Sequence, residues 1–223
     1  MHLWIRSEVR NFEKRVGITP NAVLELISKG FEITVEDSNS RAVPIKEYKN
    51  AGANIVPSNS WPSAPDHAII FGLKELPENI ETLKHRHIMF GHAYKDQSGA
   101  SALLKRFKNG GGALYDLEYL LEKNGSRIAA FGYWAGFAGA AVSLKVWLHQ
   151  QSNKSPGPKK INIYSGRDEL IQDLVNEFTD KNINNHNKPN IIVIGGLGRV
   201  GKGAIELAKS LNINVTVWDV DET

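Results

Sequence analysis

The chain has 223 residues, enough to bury a sizeable core in one large domain or two small ones, and its 41% hydrophobic and 23% charged residues are ordinary for a globular protein. Lys and Arg total 27 against 24 Asp and Glu; this net charge of +3 is dispersed and lacks the clustered basic stripe of a nucleic-acid footprint. There is no cysteine, which excludes disulfides, thiolate metal sites and cysteine nucleophiles, and no run approaches the roughly 20 apolar residues of a membrane span.

The opening stretch, MHLWIRSEVRNFEKR, meets charge within six residues and has no apolar core of a signal peptide. The expectation is a cytoplasmic protein with neither a membrane nor a nucleic-acid partner. LWIR reads as a strand. TPNAVLELISKG follows with full helix punctuation: Thr19 as N-cap, Pro20 at the first helical position and Gly30 past the end. Val23, Leu24, Leu26 and Ile27 share one face at helical spacing. FEITVED alternates apolar and polar residues as a strand does, IKEYKNAG is a short helix, and ANIV another strand.

HAIIFGL and HIMFGH are continuous apolar runs suited to strands covered on both faces. GASALLKRFKNG predicts a helix closed by Gly110, and GALYDLEYL begins as a strand. This alternation predicts a mainly parallel, doubly wound α/β sheet. From Arg127 the composition changes. RIAAFGYWAGFAGAAVSLKVWLHQ predicts a long helix in which Gly132, Gly136 and Gly139 allow a neighbouring backbone to come close. RDELIQDLVNEF is an amphipathic helix between two polar loops.

NIIVIG, another buried-type strand, runs into Gly196-Leu197-Gly198-Arg199-Val200-Gly201, a G-x-G-x-x-G. A helix follows, and the next strand, NVTVW, ends at Asp219, about 20 residues on. In that arrangement Gly196 permits the tight turn, Gly198 the approach of a pyrophosphate, and Gly201 close packing of helix on strand. Phosphate charge sits on N–H groups at the helix N-terminus. Asp219 accepts from ribose hydroxyls and repels a 2′-phosphate, so NAD is favoured over NADP. Gly196 to Lys202 also fits G-x-x-x-x-G-K, the phosphate loop of ATP- and GTP-binding proteins, but Gly203 stands where that loop needs Ser or Thr for magnesium.

In the first part, charged residues fall where strands end, the usual place for sites in α/β sheets. Lys74 and Glu75 follow one strand, His92 another, with Lys95, Asp96 and Gln97 beyond it, and Asp116 and Glu118 a third. Arg15 lies between the first strand and first helix. Each taken singly is as well explained by solvation or pairing. Beside a dinucleotide motif they form a set able to move protons near neutral pH.

FEKRVGITP, VEDSNSRAVPIKEYKNAGANIVPSNSW, AIIFGLKELPE, HIMFGHAYKDQSG, LYDLEYL, RIAAFGYWAGFAGAA and IGGLGRVGKGAIELA together resemble the family of NAD-dependent, lysine-forming saccharopine dehydrogenases. More distantly, RVGITP resembles alanine dehydrogenase and the NAD-binding part of transhydrogenase. The resemblance implies two Rossmann-like lobes: a substrate and catalytic lobe over 1–128, an interlobe helix over 129–152, and the N-terminal part of an NAD-binding domain over 153–223.

It implies a monomer that converts saccharopine, NAD and water to lysine, 2-oxoglutarate and NADH. Lys74 would take the proton of the secondary amine, and His92 would act as acid–base in water addition. Glu75 and Glu118 would tune these groups, and with Arg15, Gln97, Arg127 and Phe131 would line the substrate site. Saccharopine carries three carboxylates, which suit cations such as Arg15 and Arg127. Gly198, Arg199, Asp219 and Thr223 match NAD-contacting positions. Ser126 stands where the family often has a second Arg, so one phosphate contact is lost or replaced by a hydroxyl. Family members continue past residue 223, so the second lobe is expected to be incomplete; a truncated, inactive chain and an alanine dehydrogenase-like activity are the competing expectations.

Overall fold

The computed structural model describes residues 1–94, 98–152 and 156–220. The chain divides into two compact units, Met1–Ala129 and Ala130–Thr223.

In the first unit six strands, β1 (His2–Ile5), β2 (Glu32–Glu36), β3 (Asn54–Val56), β4 (Ile69–Phe71), β5 (Arg86–Met89) and β6 (Ala113–Asp116), form one sheet in the order β3-β2-β1-β4-β5-β6. All five pairings are parallel. Helices α1 (Pro20–Ser28), α2 (Ile45–Asn50) and α3 (Ala100–Gly110) provide crossovers. This is the doubly wound order, with a switch point between β1 and β4 where the chain runs off in opposite directions and leaves a crevice.

Both faces of the sheet are covered, which explains the continuous apolar runs of β4 and β5 and also buries Thr34 and Glu36 of β2, whose alternation suggests one wet face. Leu3 and Ile5 pack with Val23, Val35 and Tyr48 on one face. Trp4, between them, packs with Trp61, Ile70 and Phe107 on the other. Thr19 caps α1 as its position predicts, its hydroxyl accepting from Ala22 N–H at 3.3 Å. Val23 is fully buried, but Leu24 points outward and is 58% exposed. A nine-residue helix on a sheet buries only a narrow stripe, and Leu24 falls outside it. The closing glycine of α3 is Gly111, at φ 74°, and not Gly110, which is the last helical residue.

The second unit has α4 (Gly132–Gln150), α5 (Arg167–Asp180), β7 (Ile191–Ile194), α6 (Arg199–Ser210) and β8 (Val215–Trp218). β7 and β8 pair in parallel and α6 packs on them. The long helix starts at Gly132, five residues after Arg127, because Arg127 instead bridges Leu121 in an antiparallel turn. Phe137, Leu144 and Leu148 of α4 meet Leu170, Leu174 and Phe178 of α5 and Leu207 of α6 in one core.

Small residues set the spacing of α4 and α6. A Cβ on Gly136 would lie 1.8 Å from the Val200 carbonyl oxygen, and one on Gly203 1.9 Å from that of Tyr133. Gly139 meets nothing within 4 Å. Lys145, a charge inside the apolar stretch, is only 5% exposed, with its ammonium held by Asp173, at 2.7 Å, and Glu177. Those acids sit four residues apart on one face of α5, so both reach one ammonium and hold its proton more firmly. Among the described residues, no helix is long and apolar enough to cross a membrane.

Candidate functional site

The end of β1 continues as Arg6, Ser7 and Glu8, beside the end of β4 at the switch point. The Glu8 carboxylate accepts the backbone N–H of Leu73 at 2.6 Å and of Lys74 at 3.0 Å. Arg6, 2% exposed, donates to the carbonyl oxygens of Lys74 and Ser7 and pairs with Glu8 at 3.2 Å. Gly72 has no side chain because a Cβ there would come within 2.3 Å of the Arg6 Nε. The backbone that carries Lys74 is therefore gripped on both its N–H and C=O sides. The Lys74 ammonium itself forms no ion pair among the described residues, though its charge reaches Glu13. Glu75 turns outward and pairs with Arg10 at 3.3 Å, both groups more than half exposed.

Arg15 reaches back to Glu13, Nε to Oε1 at 2.8 Å and Nη2 to Oε2 at 2.6 Å. This fork lowers the Glu13 pKa and raises that of Arg15, the hydrogen bonds between the two being the main cause of both shifts. The two residues line a cavity over the ends of β1, β2 and β4, together with Arg6, Glu8 and Arg41.

A second cluster forms at the ends of β5 and β6. His92 has φ 51°, a left-handed conformation uncommon outside glycine. The ring stacks on Phe90 at 24°, and Nδ1 lies 3.7 Å from Glu118 Oε2. Glu118 sits in the single 3₁₀ turn Leu117–Tyr119, and its other oxygen meets Arg127 Nη1 at 2.9 Å. The carboxylate is 7% exposed, between an imidazole and a guanidinium 31% and 41% exposed. Of the residues picked out by sequence, His92, Glu118 and Arg127 thus come together, while Arg15 and Lys74 gather at the switch point. Ser126 lies in the turn before Arg127, its hydroxyl donating to Asn124 Oδ1 at 2.5 Å. Phe131, 41% exposed, is the N-cap residue of α4 in the second unit. Lys95, Asp96, Gln97 and Thr223 lie outside the described residues.

In the second unit the glycine loop joins β7 to α6. The left-handed residue is Gly195, φ 76°, so the turn assigned to Gly196 begins one residue earlier. Gly196 is required for a different reason, since a Cβ there would lie 2.3 Å from Val217 Cγ1. Gly201 has the packing role expected of it: a Cβ would come 2.3 Å from the Gly195 oxygen and 2.5 Å from Gly196 Cα. Gly198 is the N-cap of α6 and brings no capping side chain to the first turn, which Arg199 opens. That leaves the helix end suited to a phosphate. At the tip of β8, Asp219 accepts from Leu197 N–H at 2.8 Å and from Val220 N–H at 2.9 Å, which lower its pKa and keep it anionic.

The residue at the corresponding tip of β2 is also an acid, Glu36, with the opposite fate. It is 0% exposed and accepts Trp4 Nε1–H, Ser7 N–H and O–H, Asn59 N–H and Trp61 N–H, at 2.6 to 3.1 Å. Glu36 is closed off from any ligand, whereas Asp219 stands at a loop tip beside the glycine loop. Sequence reasoning passed over Arg6, Glu8, Glu13, Glu36 and Arg41. The strand-end rule that found Lys74 and His92 would have found the first two, in the RSE that follows β1.

Known proteins agree with this architecture. The chain is 45% identical over 226 residues to saccharopine dehydrogenase [NAD(+), L-lysine-forming] of Candida glabrata, covering 99% of this chain and 61% of that protein. Identity to the protein of the same name from Schizosaccharomyces pombe is 44% over 227 residues, covering 100% of this chain and 62% of the relative. The chain thus spans about three-fifths of the length of these curated relatives. A solved L-alanine dehydrogenase superposes with a TM-score of 0.59 at 18% identity, covering 99% of this chain and 55% of that one, which shows the shared fold. Residues 4–138 match the model of the alanine dehydrogenase/PNT N-terminal domain, and the chain belongs to that family.

Proposed function

We propose that this chain serves the NAD-dependent oxidative deamination of saccharopine to L-lysine and 2-oxoglutarate. The reading is carried by the 42–45% identity to saccharopine dehydrogenases from six fungi over essentially the whole chain. It is supported by Lys74, His92 and Glu118 following strand ends of a doubly wound sheet, with Arg127 paired to Glu118.

In the reaction, Lys74 Nζ accepts the proton of the substrate's secondary amine. NAD, when bound, supplies the acceptor for the hydride that leaves the glutamyl α-carbon. His92 then deprotonates the water that adds to the resulting imine, and returns the proton as the carbinolamine collapses to lysine and 2-oxoglutarate. Glu118, 3.7 Å from Nδ1, faces the His92 ring and holds its place beside the reacting water. Arg15 and Arg127 meet substrate carboxylates, and Glu75, Gln97 and Phe131 complete the substrate site. Gly196, Gly198, Arg199 and Gly201 hold the pyrophosphate, Asp219 and Thr223 the adenosine side, and Ser126 a phosphate oxygen. The absence of cysteine suits a cytoplasmic setting, and light scattering checks the expectation of a monomer.

The test follows NADH absorbance with saccharopine and with alanine, alongside calorimetric titration of NAD. Saccharopine is the expected substrate, and Lys74→Met and His92→Gln each slow turnover about a hundredfold or more while leaving NAD affinity unchanged. Asp219→Ala weakens NAD binding. Turnover of alanine without turnover of saccharopine refutes the assignment, as does NAD affinity that ignores Asp219.

A further inference from the structure

The cavity at the switch point contains three guanidinium groups and two carboxylates. Two of the cations are already neutralised. Arg6 pairs with Glu8 at 3.2 Å and Arg15 with Glu13 at 2.6 Å, and both carboxylates are less than a tenth exposed. Arg41 is different: among the described residues it forms no ion pair.

One of its amino groups donates to the Glu36 carbonyl at 2.8 Å, and its flat face lies 5.1 Å from the centre of the Tyr48 ring. The acids nearest to it are otherwise engaged. The Glu36 carboxylate is saturated by five donors, and Asp37 turns outward to accept Ser38 N–H at 2.8 Å. Burial lowers the Arg41 pKa and outweighs the opposing pull of Tyr48, Asp37, Glu36 and Glu8.

We propose that this cavity is a subsite for one carboxylate of an aliphatic dicarboxylic acid, and that Arg41 takes the anion through its remaining guanidinium N–H groups. A planar guanidinium fork matches a carboxylate with two parallel hydrogen bonds, which a lysine cannot reproduce. Ser38 and Ser40, whose hydroxyls bond each other at 2.9 Å and so leave one proton to give, add a neutral donor at the rim. Ile5 and Phe71, each less than a tenth exposed, wall the cavity off behind the guanidinium groups. Gly17 keeps that wall closed, because a Cβ there would come 2.5 Å from the Phe71 ring. The subsite deepens the saccharopine reading and rests on it for its natural ligand, whose glutaryl end has this chemistry. It also moves part of the anion-binding role from Arg15, whose guanidinium Glu13 already holds at two nitrogens, to a residue five positions past the end of β2.

Glutarate and saccharopine, titrated separately by calorimetry into the whole chain, test this. Wild type binds glutarate, and Arg41→Gln weakens that binding about tenfold or more. Near-UV circular dichroism of the variant stays unchanged. Should the Gln variant lose its fold, Arg41→Lys keeps the charge without the fork and still weakens glutarate several-fold. Glutarate bound equally by wild type and Arg41→Gln, or not bound by wild type, overturns the subsite. Saccharopine bound equally by both overturns the subsite but leaves the substrate reading intact. Arg41-dependent glutarate binding with no saccharopine binding supports the subsite and overturns that reading.

Discussion

Replacing Glu36 with glutamine exchanges one carboxylate oxygen for an amide nitrogen and leaves the side-chain shape unchanged. On most surfaces that exchange is nearly silent. Here every group facing the carboxylate is a donor: Trp4 Nε1–H and Trp61 N–H on Oε1, and Ser7 N–H, Ser7 O–H and Asn59 N–H on Oε2. The serine hydroxyl can rotate to accept, since it also shares a hydrogen bond with Ser58 Oγ at 2.8 Å. The four N–H groups cannot. Either orientation of the amide therefore places its NH₂ against two buried N–H donors. At about 1–3 kcal/mol for each donor left unsatisfied, Glu36→Gln costs about 2–6 kcal/mol. That is a large share of the about 5–15 kcal/mol that holds a typical domain together. Urea denaturation followed by tryptophan fluorescence measures it, with Trp4 and Trp61 reporting directly on the site. A midpoint shift worth less than about 1 kcal/mol, with an unchanged slope, would refute the premise that Glu36 is an obligate acceptor for the loops framing the cavity.

Glycines in α4 separate packing from propensity: Gly136→Ala drives a Cβ to 1.8 Å from the Val200 oxygen and lowers the stability of the second unit by about 3 kcal/mol or more. Gly139→Ala, with nothing within 4 Å, raises stability by about 0.5–1 kcal/mol through helix propensity, and equal effects in thermal unfolding would contradict the close approach of α4 and α6. His87, 1% exposed and edge-on to Trp61 and Phe107, has its pKa pushed down to about 3 by burial first and then by the charges of Arg6, His85 and Arg106. Its folded pKa lies below its unfolded value, so above about pH 6.5 it contributes no pH dependence. As pH falls from there towards 3, only the unfolded chain takes up the proton, and stability declines by about 2 kcal/mol by pH 5. His87→Phe removes that part of the decline, so wild type and variant losing equal stability between pH 7 and pH 5 would show His87 to be protonated in the fold.

Much of this protein is local and was legible residue by residue. The Thr19-Pro20 start of α1 and the strand, glycine turn and helix around Gly201 depend on neighbours within a turn or two. Such features follow from backbone geometry and capping, which the amino-acid order alone determines. The parallel, doubly wound plan also followed from the alternation of apolar runs and amphipathic segments, because a strand that is apolar throughout needs a covered sheet.

Tertiary structure decided what the charged residues do. A carboxylate at the same kind of strand end became a buried acceptor at Glu36 and a loop-tip anion at Asp219, because only Glu36 has Trp4, Ser7, Asn59 and Trp61 brought around it by β1 and the segment after β3. Arg15 was legible as a cation but not as one already paired, and Arg41 was not singled out at all. Whether a charge is spent on a neighbour or left for a ligand depends on which groups the strand order brings within a few ångströms. That order, with β1 beside β4 across the 63 residues between Ile5 and Ile69, is set by packing on both faces of the sheet and is not written in any local stretch of sequence.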